Sequence, residues 1–444
     1  MTETVLLVGG GGREHAIARA LADDCSLVAC AGNRNPGIAS LADEFVVCDE
    51  TDPDAVVDAA TDAGATLAVV GPEAPLAAGV ADALDEAGVF AFGPHADAAR
   101  IETDKAFQRQ FMAEHGVPGC PEYRVFDDAD AAADHLLDVD VDLAVKPVGL
   151  TGGKGVRVTG DQLTNAEAAA YVRDSEWDDW VLEERLVGEE FTVQALVADG
   201  EVRATPAVQD HKRAFEGDEG PNTGGMGSYS AAERTLPFMT DADYEAAVDT
   251  IEQTVAALGD YTGVLYGQFM LTAEGPKVVE FNARFGDPEA MNTLPVMETP
   301  LLDVLVAARE GDSLPDLEFA PQATVCKYAV PAGYPTDPEG GAPVTVDEET
   351  TRAVTERHAG EGERGAPRAL LYYASVDERD GQVYTTTSRS FALVGVADTI
   401  ADADSLAEEA LDGVDEGLRV RHDIGTEALV RRRVEHMAAL RGDG

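Results

Sequence analysis

The chain of 444 residues has 32 Lys plus Arg against 84 Asp plus Glu, a formal net charge of −52, and 45% of its residues are hydrophobic. This hydrophobic content excludes an intrinsically disordered chain, and the length allows two to four domains. Acidic residues occur in every segment, which excludes the basic surface of a nucleic-acid-binding protein. We expect a folded, halophilic protein whose acidic surface keeps it solvated in a salt-rich cytoplasm.

Cysteine spacing and hydrophobic runs predict a cytoplasmic protein. The five cysteines form no CxxC pair, and the chain is too long for a disulfide-rich miniprotein. No basic segment precedes the first apolar run, and no stretch of about 18 apolar residues occurs. We therefore expect reduced thiols, no export signal and no membrane span.

The first hundred residues are typical of a parallel α/β domain. An apolar run at 4–8 leads into Gly9 to Gly12 and then into a helical pattern. Further predicted strands alternate with helices, one of which is predicted over 76–87, and this alternation builds a parallel sheet. These predicted strands lie at 27–32, 45–49, 67–72 and 89–94.

The rest of the chain predicts an α+β region and a smaller mixed β region. A helix from Thr103 ends at Gly116-Val-Pro118, which marks a new domain. Hairpin-like strands follow, and the acidic stretch 127–142 is interpreted as a solvated helix face. The predicted elements beyond them are a helix at 241–258, a Pro- and Gly-rich segment at 335–366, and strands at 369–376, 383–388 and 391–397. The predicted domains are 1–102, 103–325 and 326–440.

The first glycine cluster places backbone N–H groups at the start of a helix, where they can hold a phosphate. Glu14 and His15 stand where a G-x-G-x-x-G fingerprint needs its last glycine, and Asn33 follows the second strand where an acidic residue should bind ribose. A dinucleotide is therefore disfavoured. A tight turn with no ligand is the alternative.

Lysine is rare in this chain, with six Lys beside 26 Arg. We expect such a chain to keep lysine where a compact ammonium is needed. Lys146 ends an apolar strand and Lys154 lies in the glycine-rich loop 149–155, where a cation and backbone amides can hold phosphate oxygens. The loop does not have Walker A spacing, so a different nucleotide fold is predicted.

An oxygen-rich strand end predicts a metal site. Glu280 and Asn282 alternate onto one face of a predicted strand, a pattern that suits Mg²⁺. Gln268, on the neighbouring predicted strand, supplies a third oxygen. Arg284 follows at once and suits the charge of a transferring phosphoryl group. A second polar, glycine-dense loop pair, 209–227, contains Asp210-His211-Lys212-Arg213.

Together these residues resemble the ATP-grasp ligases, and among them the phosphoribosylamine–glycine ligases of purine biosynthesis. The combination of DHKR, PNTGGMG and FNARFGDPE is specific to this family, whereas the glycine-rich loop alone indicates only the superfamily. The resemblance runs almost end to end and is carried by VGGGGREHA (8–16), VVGPEAPL (69–76), KPVGLTGGKGV (146–156), LEERLVGEE (182–190), QDHKR (209–213), GPNTGGMG (220–227) and VVEFNARFGDPE (278–289).

The resemblance implies a fold and a reaction. The fold combines an N-terminal parallel α/β domain, a central ATP-grasp domain with a flap at about 118–190, and a small C-terminal mixed β domain. The reaction joins glycine to 5-phosphoribosylamine through glycyl phosphate, consuming ATP and giving glycinamide ribonucleotide, ADP and phosphate. Mg²⁺ or Mn²⁺ is the implied cofactor. We expect these small molecules as partners, no nucleic acid or membrane, and a monomer or weak dimer.

The resemblance also implies site residues. The expected ATP-binding residues are Lys105, Lys146, Gly149, Gly152, Gly153, Lys154, Gly155, Glu183, Glu184, Leu186 and Glu190. The expected metal ligands are Gln268, Glu280 and Asn282, and the expected catalytic residues are Arg284, Lys146 and Lys154. The expected substrate-binding residues are Gly11, Gly12, Arg13, Glu73, Asp210, Lys212, Asn222, Gly224, Gly225, Met226, Asp287 and Arg389.

The sequence departs from the family pattern in three places. Pro147-Val148 replaces Ala-Asp, Thr387-Ser388 replaces a Gly-Gly pair before Arg389, and the stretch after Glu289 is less polar. Arg389 is therefore either a phosphate ligand or a simple strand-edge residue.

Three other functions would each explain part of the sequence. An ATP-grasp ligase for another carboxylate, such as a carboxyaminoimidazole-type or formate-dependent enzyme, is disfavoured by the 209–227 loops. A regulatory nucleotide-binding protein is disfavoured by the intact Glu280, Asn282 and Arg284. An acidic scaffold explains the charge but not the glycine loops.

Overall fold

The computed structural model describes residues 3–149, 155–358, 365–412, 414 and 417–442. The N-terminal region forms a five-stranded parallel sheet, as predicted, in the order β3-β2-β1-β4-β5. Its strands are β1 (Thr4–Val8), β2 (Ser26–Ala31), β3 (Glu44–Val47), β4 (Leu67–Val70) and β5 (Phe90–Phe92). Its helices are α1 (Gly12–Leu21), α2 (Pro36–Leu41), α3 (Pro53–Ala63), α4 (Glu73–Ala77), α5 (Val80–Glu86) and α6 (Ala96–Thr103).

The central strand of this sheet is covered on both faces. Val5 and Leu7 pack into one hydrophobic cluster, while Leu6 and Val8 pack into another. This follows from the alternation of side chains along a strand. The single helix predicted over 76–87 is wrong: α4 and α5 are separate, because Gly79 adopts a left-handed conformation with φ of 82° between them.

After α7 (Lys105–His115) comes a small four-stranded sheet in the order β6-β9-β7-β8. The acidic stretch 127–142 contains a helix, as predicted, and that helix buries Ala132, Ala133 and Leu136 against Trp180 while its acidic face meets solvent. The elements of this flap are β6 (Tyr123–Phe126), α8 (Ala129–Asp138), β7 (Leu143–Pro147), β8 (Arg157–Val158), α9 (Asn165–Asp174) and β9 (Trp180–Glu184).

A large sheet forms the rest of the core, and its pairings are antiparallel, as predicted for the middle region. The main path is β17-β16-β10-β12-β15-β18-β22-β19, with β11 on β10 and β23 on β18. Its strands are β10 (Glu189–Ala198), β11 (Glu201–Ala204), β12 (Val208–Asp210), β15 (Gly227–Ser230), β16 (Gly263–Thr272), β17 (Gly275–Asn282), β18 (Ala323–Pro331), β19 (Arg368–Tyr373), β22 (Phe391–Ala397) and β23 (Leu418–Arg419). Two separate two-stranded sheets pair β13 (Arg213–Phe215) with β14 (Glu219–Asn222) and β20 (Val376–Arg379) with β21 (Gln382–Thr385).

This sheet continues from the central region into the C-terminal region. Strand β15 pairs with β18, and the division predicted between 325 and 326 falls inside β18. The remaining helices are α10 (Asp241–Leu258), α11 (Ala290–Thr293), α12 (Leu301–Glu310), α13 (Glu348–His358), α14 (Ile400–Leu411) and α15 (Glu427–Arg441). Helix α13 lies within 335–366, where no helix was predicted, because only its Thr351 and Val354 are buried and its apolar pattern is weak.

The N-terminal glycine turn is attached to the C-terminal region by buried polar side chains. His15 Nδ1 accepts a hydrogen bond from the Tyr373 backbone N–H at 2.9 Å, and the two rings stack. Asn35 Nδ2 donates to the carbonyls of Gly10 and Tyr373. These contacts place the turn beside the central cavity. None of the helices in the described ranges is long and apolar enough to cross a membrane.

Candidate active site

A cavity of about 510 Å³ lies where the N-terminal sheet, the large sheet and the loop before β22 meet. Many residues expected from the sequence line it, namely Arg13, Glu73, Lys105, Asp210, Lys212, Gly224, Glu280, Asn282, Arg284, Asp287 and Arg389. Other residues in its wall include Glu102, Gln108, Thr223, Tyr266, Glu289, Tyr334 and Ser388.

Lys146 is held by a buried ion-pair network beside this cavity. Its Nζ lies 2.7 Å from Glu183 Oε2 and donates to the Val279 carbonyl at 3.0 Å. Arg109 donates to both oxygens of the same carboxylate, at 2.7 and 3.0 Å. Burial favours the neutral form of Glu183, but Arg109 and Lys146 outweigh it and lower the pKa of this carboxyl. Glu183 therefore stays ionised and fixes the lysine.

Lys105 begins α7 and reaches the start of the glycine-rich loop. Its Nζ donates to the Gly149 carbonyl at 2.6 Å, and burial lowers its pKa. Gly155, at the other end of the loop, accepts a hydrogen bond from Tyr171 Oη. The expected residues Gly152, Gly153 and Lys154 lie outside the described residues.

Glu280 is the anion at the centre of a cluster of cations. Lys212 Nζ lies 3.4 Å from its Oε1. Burial acts to raise the pKa of Glu280, but Lys212, followed by Lys105 and Lys146, lowers it to about 2. The carboxylate is therefore ionised at neutral pH.

Across the paired strands β16 and β17, Gln268 stands opposite Glu280. The Gln268 Oε1 accepts a hydrogen bond from Lys212 Nζ at 2.5 Å, and its Nε2 donates to Glu190 Oε2 at 2.7 Å. The amide oxygen expected as a metal ligand is thus engaged by the ammonium group. Gln268 aligns Lys212 and Glu190 in this arrangement.

The donor set at the end of β17 fits a hard cation. Glu280 supplies an ionised carboxylate, and among the described residues Asn282 Oδ1 has only a long 3.4 Å contact from Arg284 Nη2. In the described part of the chain, no three His, Cys, Asp or Glu side chains cluster to hold a metal ion. One carboxylate and one amide oxygen still suit Mg²⁺, because this ion often takes few protein ligands together with water and substrate phosphates.

Arg284 lies between two carboxylates on the opposite wall. Its Nη2 is 3.0 Å from Glu102 Oε1, and its Nε is 3.5 Å from Glu73 Oε2. Burial acts to raise the pKa of Glu73, but Arg284 and then Arg13 lower it to about 2. An arginine in this position can stabilise phosphoryl charge.

A second group of contacts closes the cavity on the C-terminal side. Arg389 Nη1 donates to the carbonyls of Gly224 and Gly225 at 2.7 and 3.0 Å, and its Nη2 lies 3.1 Å from Asp287 Oδ2. Tyr328 Oη donates to Asp287 Oδ1 at 2.6 Å. Arg389 thus ties two motif loops together.

Gly225 is required by this packing. Its φ is +112°, and a Cβ there would lie 2.7 Å from Asp210 Oδ1. The Asp210 carboxyl in turn shares the cavity with Glu289, which accepts a hydrogen bond from Tyr266 Oη at 2.8 Å. Burial, and for Asp210 also the nearby Glu289, raises the pKa of both carboxyls.

The N-terminal turn differs from the expectation of an open phosphate cradle. The Gly11 backbone N–H donates to Glu14 Oε2 at 2.7 Å, so this donor already has a partner. Gly12 packs closely against Tyr328. Arg13 does line the cavity, and its Nη1 donates to the Gly71 carbonyl. The turn therefore presents Arg13, and not bare glycine amides, to the cavity.

Four other expected residues are absent from the described cavity wall. Glu184 pairs with Lys277 at 2.6 Å. The Met226 side chain is fully buried in a hydrophobic cluster. Asn222 ends β14, and Leu186 lies in the turn between β9 and β10.

Several residues that shape the site carry no recognisable motif in the sequence. Glu102, Gln108 and Arg109 all lie at the junction of α6 and α7, and each contacts the backbone of 278–283. Their partners are distant along the chain, so no local motif marks them. The helix that begins near Thr103 is the one sequence signal that could have drawn attention to this junction.

A parallel α/β domain, a flap sheet carrying Lys146, and a facing strand that ends in Glu280 and Asn282 define an ATP-grasp architecture. The family models for phosphoribosylglycinamide synthetase match the chain in three parts: the N domain over residues 3–102, the ATP-grasp (A) domain over 103–290 and the C domain over 324–427. The chain belongs to the phosphoribosylglycinamide synthetase family.

Curated relatives agree over the full length. The phosphoribosylamine–glycine ligase of Methanocella arvoryzae is 52% identical over 450 residues, which cover 99% of this chain and 100% of that protein. The corresponding ligase of Methanosarcina barkeri is 51% identical with the same coverage.

Solved structures share the fold. The crystal structure of phosphoribosylamine–glycine ligase from Thermotoga maritima superposes with a TM-score of 0.76 at 24% identity, covering 95% of this chain and 99% of that one. A biotin carboxylase from Campylobacter jejuni gives a TM-score of 0.71 at 15% identity, covering 99% of both chains. At these identities the likeness concerns the fold alone.

Proposed function

We propose that the chain catalyses the ATP-dependent ligation of glycine to 5-phosphoribosylamine in purine biosynthesis. The observation that carries the proposal is the convergence of the DHKR, GPNTGGMG and EFNARFGDPE motifs on one cavity, where Lys212, Gly224, Glu280 and Asp287 meet. The full-length relatives named phosphoribosylamine–glycine ligase support the same substrates.

ATP binds between the flap and the large sheet. Lys146, fixed by Glu183, and Lys105, beside Gly149, contact the phosphates. The loop 149–155 closes over them with Lys154. The backbone of 183–186 lines the adenine pocket, and Glu190 accepts from the ribose hydroxyls.

Glu280 and Asn282 hold a divalent cation, Mg²⁺ or Mn²⁺. When bound, the ion neutralises charge on the phosphate oxygens. Gln268 acts on this site indirectly, because its Oε1 accepts a hydrogen bond from the Lys212 ammonium group at 2.5 Å. The lysines around Glu280 would repel a bare cation, so this site favours the ion together with its anionic nucleotide.

The reaction follows from charge placement. A glycine carboxylate oxygen attacks the γ-phosphorus, the bond to ADP breaks, and glycyl phosphate forms. The amine of phosphoribosylamine then attacks the acyl carbon, phosphate leaves, and the amine loses a proton. Arg284 and Lys212 border the cavity in which anionic charge develops, so stabilisation of that charge is the main role of the protein.

The aminosugar phosphate binds at the end of the cavity formed by Arg13, Glu73 and the 209–227 loops. Arg389 lies there with its guanidinium anchored on Gly224, Gly225 and Asp287. A guanidinium with fixed orientation suits a phosphate ligand. Ser388, which belongs to the Thr387-Ser388 pair that replaces the family's Gly-Gly, also lines the cavity and supplies a hydroxyl.

The test of this proposal is phosphate release by the purified protein. ATP and Mg²⁺ are supplied with glycine and phosphoribosylamine, separately and together. Release that requires both, with the mass of glycinamide ribonucleotide in the product, supports the assignment. Release with a different carboxylate or with an aminoimidazole ribonucleotide would retain the ATP-grasp chemistry and overturn the substrates.

The acidic surface serves solvation at high salt, and the protein works in a salt-rich cytoplasm as a monomer or weak dimer. The charge of −52 and the ratio of 26 Arg to 6 Lys support this proposal. Light scattering in molar KCl tests the oligomeric state.

We also propose that the chain is divided into the three domains 1–102, 103–325 and 326–440.

A further inference from the structure

Arg284 has two carboxylate neighbours that differ sharply in their surroundings. The Glu102 side chain is 4% exposed and lies 3.0 Å from Nη2. The Glu73 side chain is 37% exposed and lies 3.5 Å from Nε. One neighbour is therefore a close, buried partner, and the other is a longer contact at the open face of the cavity.

Glu102 also fixes the backbone next to the arginine. Its second oxygen, Oε2, accepts a hydrogen bond from the Ala283 N–H at 2.7 Å. Both oxygens are thus used by consecutive residues, Ala283 and Arg284. Burial raises the pKa of Glu102, with a smaller contribution from the nearby Glu73, while Arg284 and the Ala283 N–H act in the opposite direction. The last turn of α6 is joined in this way to the end of β17.

The Nε–H of Arg284, which Glu102 does not use, faces the exposed Glu73. Within the described residues, the Arg284 Nε–H makes no hydrogen bond, although Glu73 lies at ion-pair distance. Glu73 is also 3.8 Å from Arg13 Nη2, so it lies between two guanidinium groups without a short contact to either. An incoming phosphoryl oxygen can bind at Nε in place of Glu73, and its negative charge then replaces that of the carboxylate beside Arg284.

We infer that Glu102 is a positioning residue. It holds the Arg284 guanidinium at a fixed place relative to Glu280 and Asn282 on β17 while a phosphoryl anion displaces Glu73. The inference rests on the proposed function. Without Glu102 the guanidinium loses its closest partner and keeps the longer contacts to Glu73, the Phe285 carbonyl and Asn282 Oδ1. It is then held less firmly and does not meet the reacting phosphate in a fixed orientation.

The test compares Glu102→Gln with Asp97→Asn, which removes an exposed carboxylate from the same helix. Glu102→Gln should lower kcat about ten-fold or more with a smaller change in the KM for ATP, since orientation acts mainly on the transition state. Asp97→Asn should leave both constants unchanged. A change confined to melting temperature would make Glu102 merely structural and overturn the inference.

A double-mutant cycle separates positioning from general damage. In the Arg284→Lys background, Glu102→Gln should lower kcat by less than about two-fold, because the guanidinium it orients is gone. An equal loss in both backgrounds would contradict the inference.

The inference can be tested apart from the proposed function. A wild-type protein that releases no phosphate with glycine and phosphoribosylamine would contradict the proposed function alone. In that case a crystal structure of Glu102→Gln gives the answer: a guanidinium of Arg284 moved toward Glu73 supports the positioning role, and an unmoved one overturns it.

Discussion

Lys146 Nζ lies 2.7 Å from Glu183 Oε2, on the antiparallel neighbour of its own strand. The carboxylate is shared with Arg109, which donates to both of its oxygens. The lysine on β7 is therefore a fixed group, and Arg109 still neutralises Glu183 when the lysine is removed.

This relationship predicts different roles for two lysines. Lys146→Ala should raise the KM for ATP and lower kcat by about ten-fold or more, with the fold retained by Arg109. Lys154→Ala should have a milder effect, because we expect this residue to travel with a closing loop. Steady-state kinetics with varied ATP measures both. Equal changes in both constants for the two variants would contradict the division.

Glu280→Gln should abolish turnover while leaving the fold intact. The substitution keeps the size of the side chain but removes the carboxylate whose charge interacts with Lys105, Lys146 and Lys212, so the divalent ion loses its carboxylate ligand. Phosphate release and far-UV circular dichroism check the two halves of this expectation. Glu274→Gln, at the exposed turn between β16 and β17, is the matched control. Near-normal turnover of Glu280→Gln would remove it as an essential ligand.

Glu73 should stabilise the protein in a pH-dependent way. Arg284 and Arg13 lower its pKa from 4.5 to about 2 against the opposing effect of burial. The lowered value means that the stabilisation is fully present above about pH 4.5 and is lost as the pH falls toward 2. Glu73→Gln should therefore reduce the free energy of unfolding at pH 7 and have much less effect near pH 3. Urea unfolding at several pH values measures this, and an effect that grows on acidification would have the wrong sign.

High salt should be needed for stability. The net charge of −52 makes the compact state repel itself, and salt screens that repulsion. The melting temperature and activity should rise between dilute buffer and molar KCl. Full folding and activity without salt would count against the halophilic interpretation.

The sequence predicted the elements whose patterns are local. The parallel sheet follows from apolar runs such as 4–8, and α10 begins and ends where the sequence indicates, at Asp241 and Leu258. The single helix at 76–87 was wrong because a left-handed Gly79 interrupts an otherwise continuous pattern. Helix α13 was missed because its buried face is too small to give a clear period.

The candidate site was predictable where chemistry and motif coincide. Glu280, Lys212 and Arg389 stand out by residue type and do line the cavity. Glu102 and Arg109 could not be found from the sequence, because their importance comes from contacts more than 70 residues away along the chain. Gly11 was mispredicted for a different reason: the glycine pattern does not reveal that the nearby Glu14 side chain accepts the hydrogen bond of its amide.

The most direct test of the account is phosphate release from ATP and Mg²⁺ in molar KCl, with glycine and freshly made phosphoribosylamine added singly and together. We predict release only when both are present, with one glycinamide ribonucleotide formed for each phosphate. Release that needs neither compound, or that needs a different carboxylate or amine, would contradict the assignment.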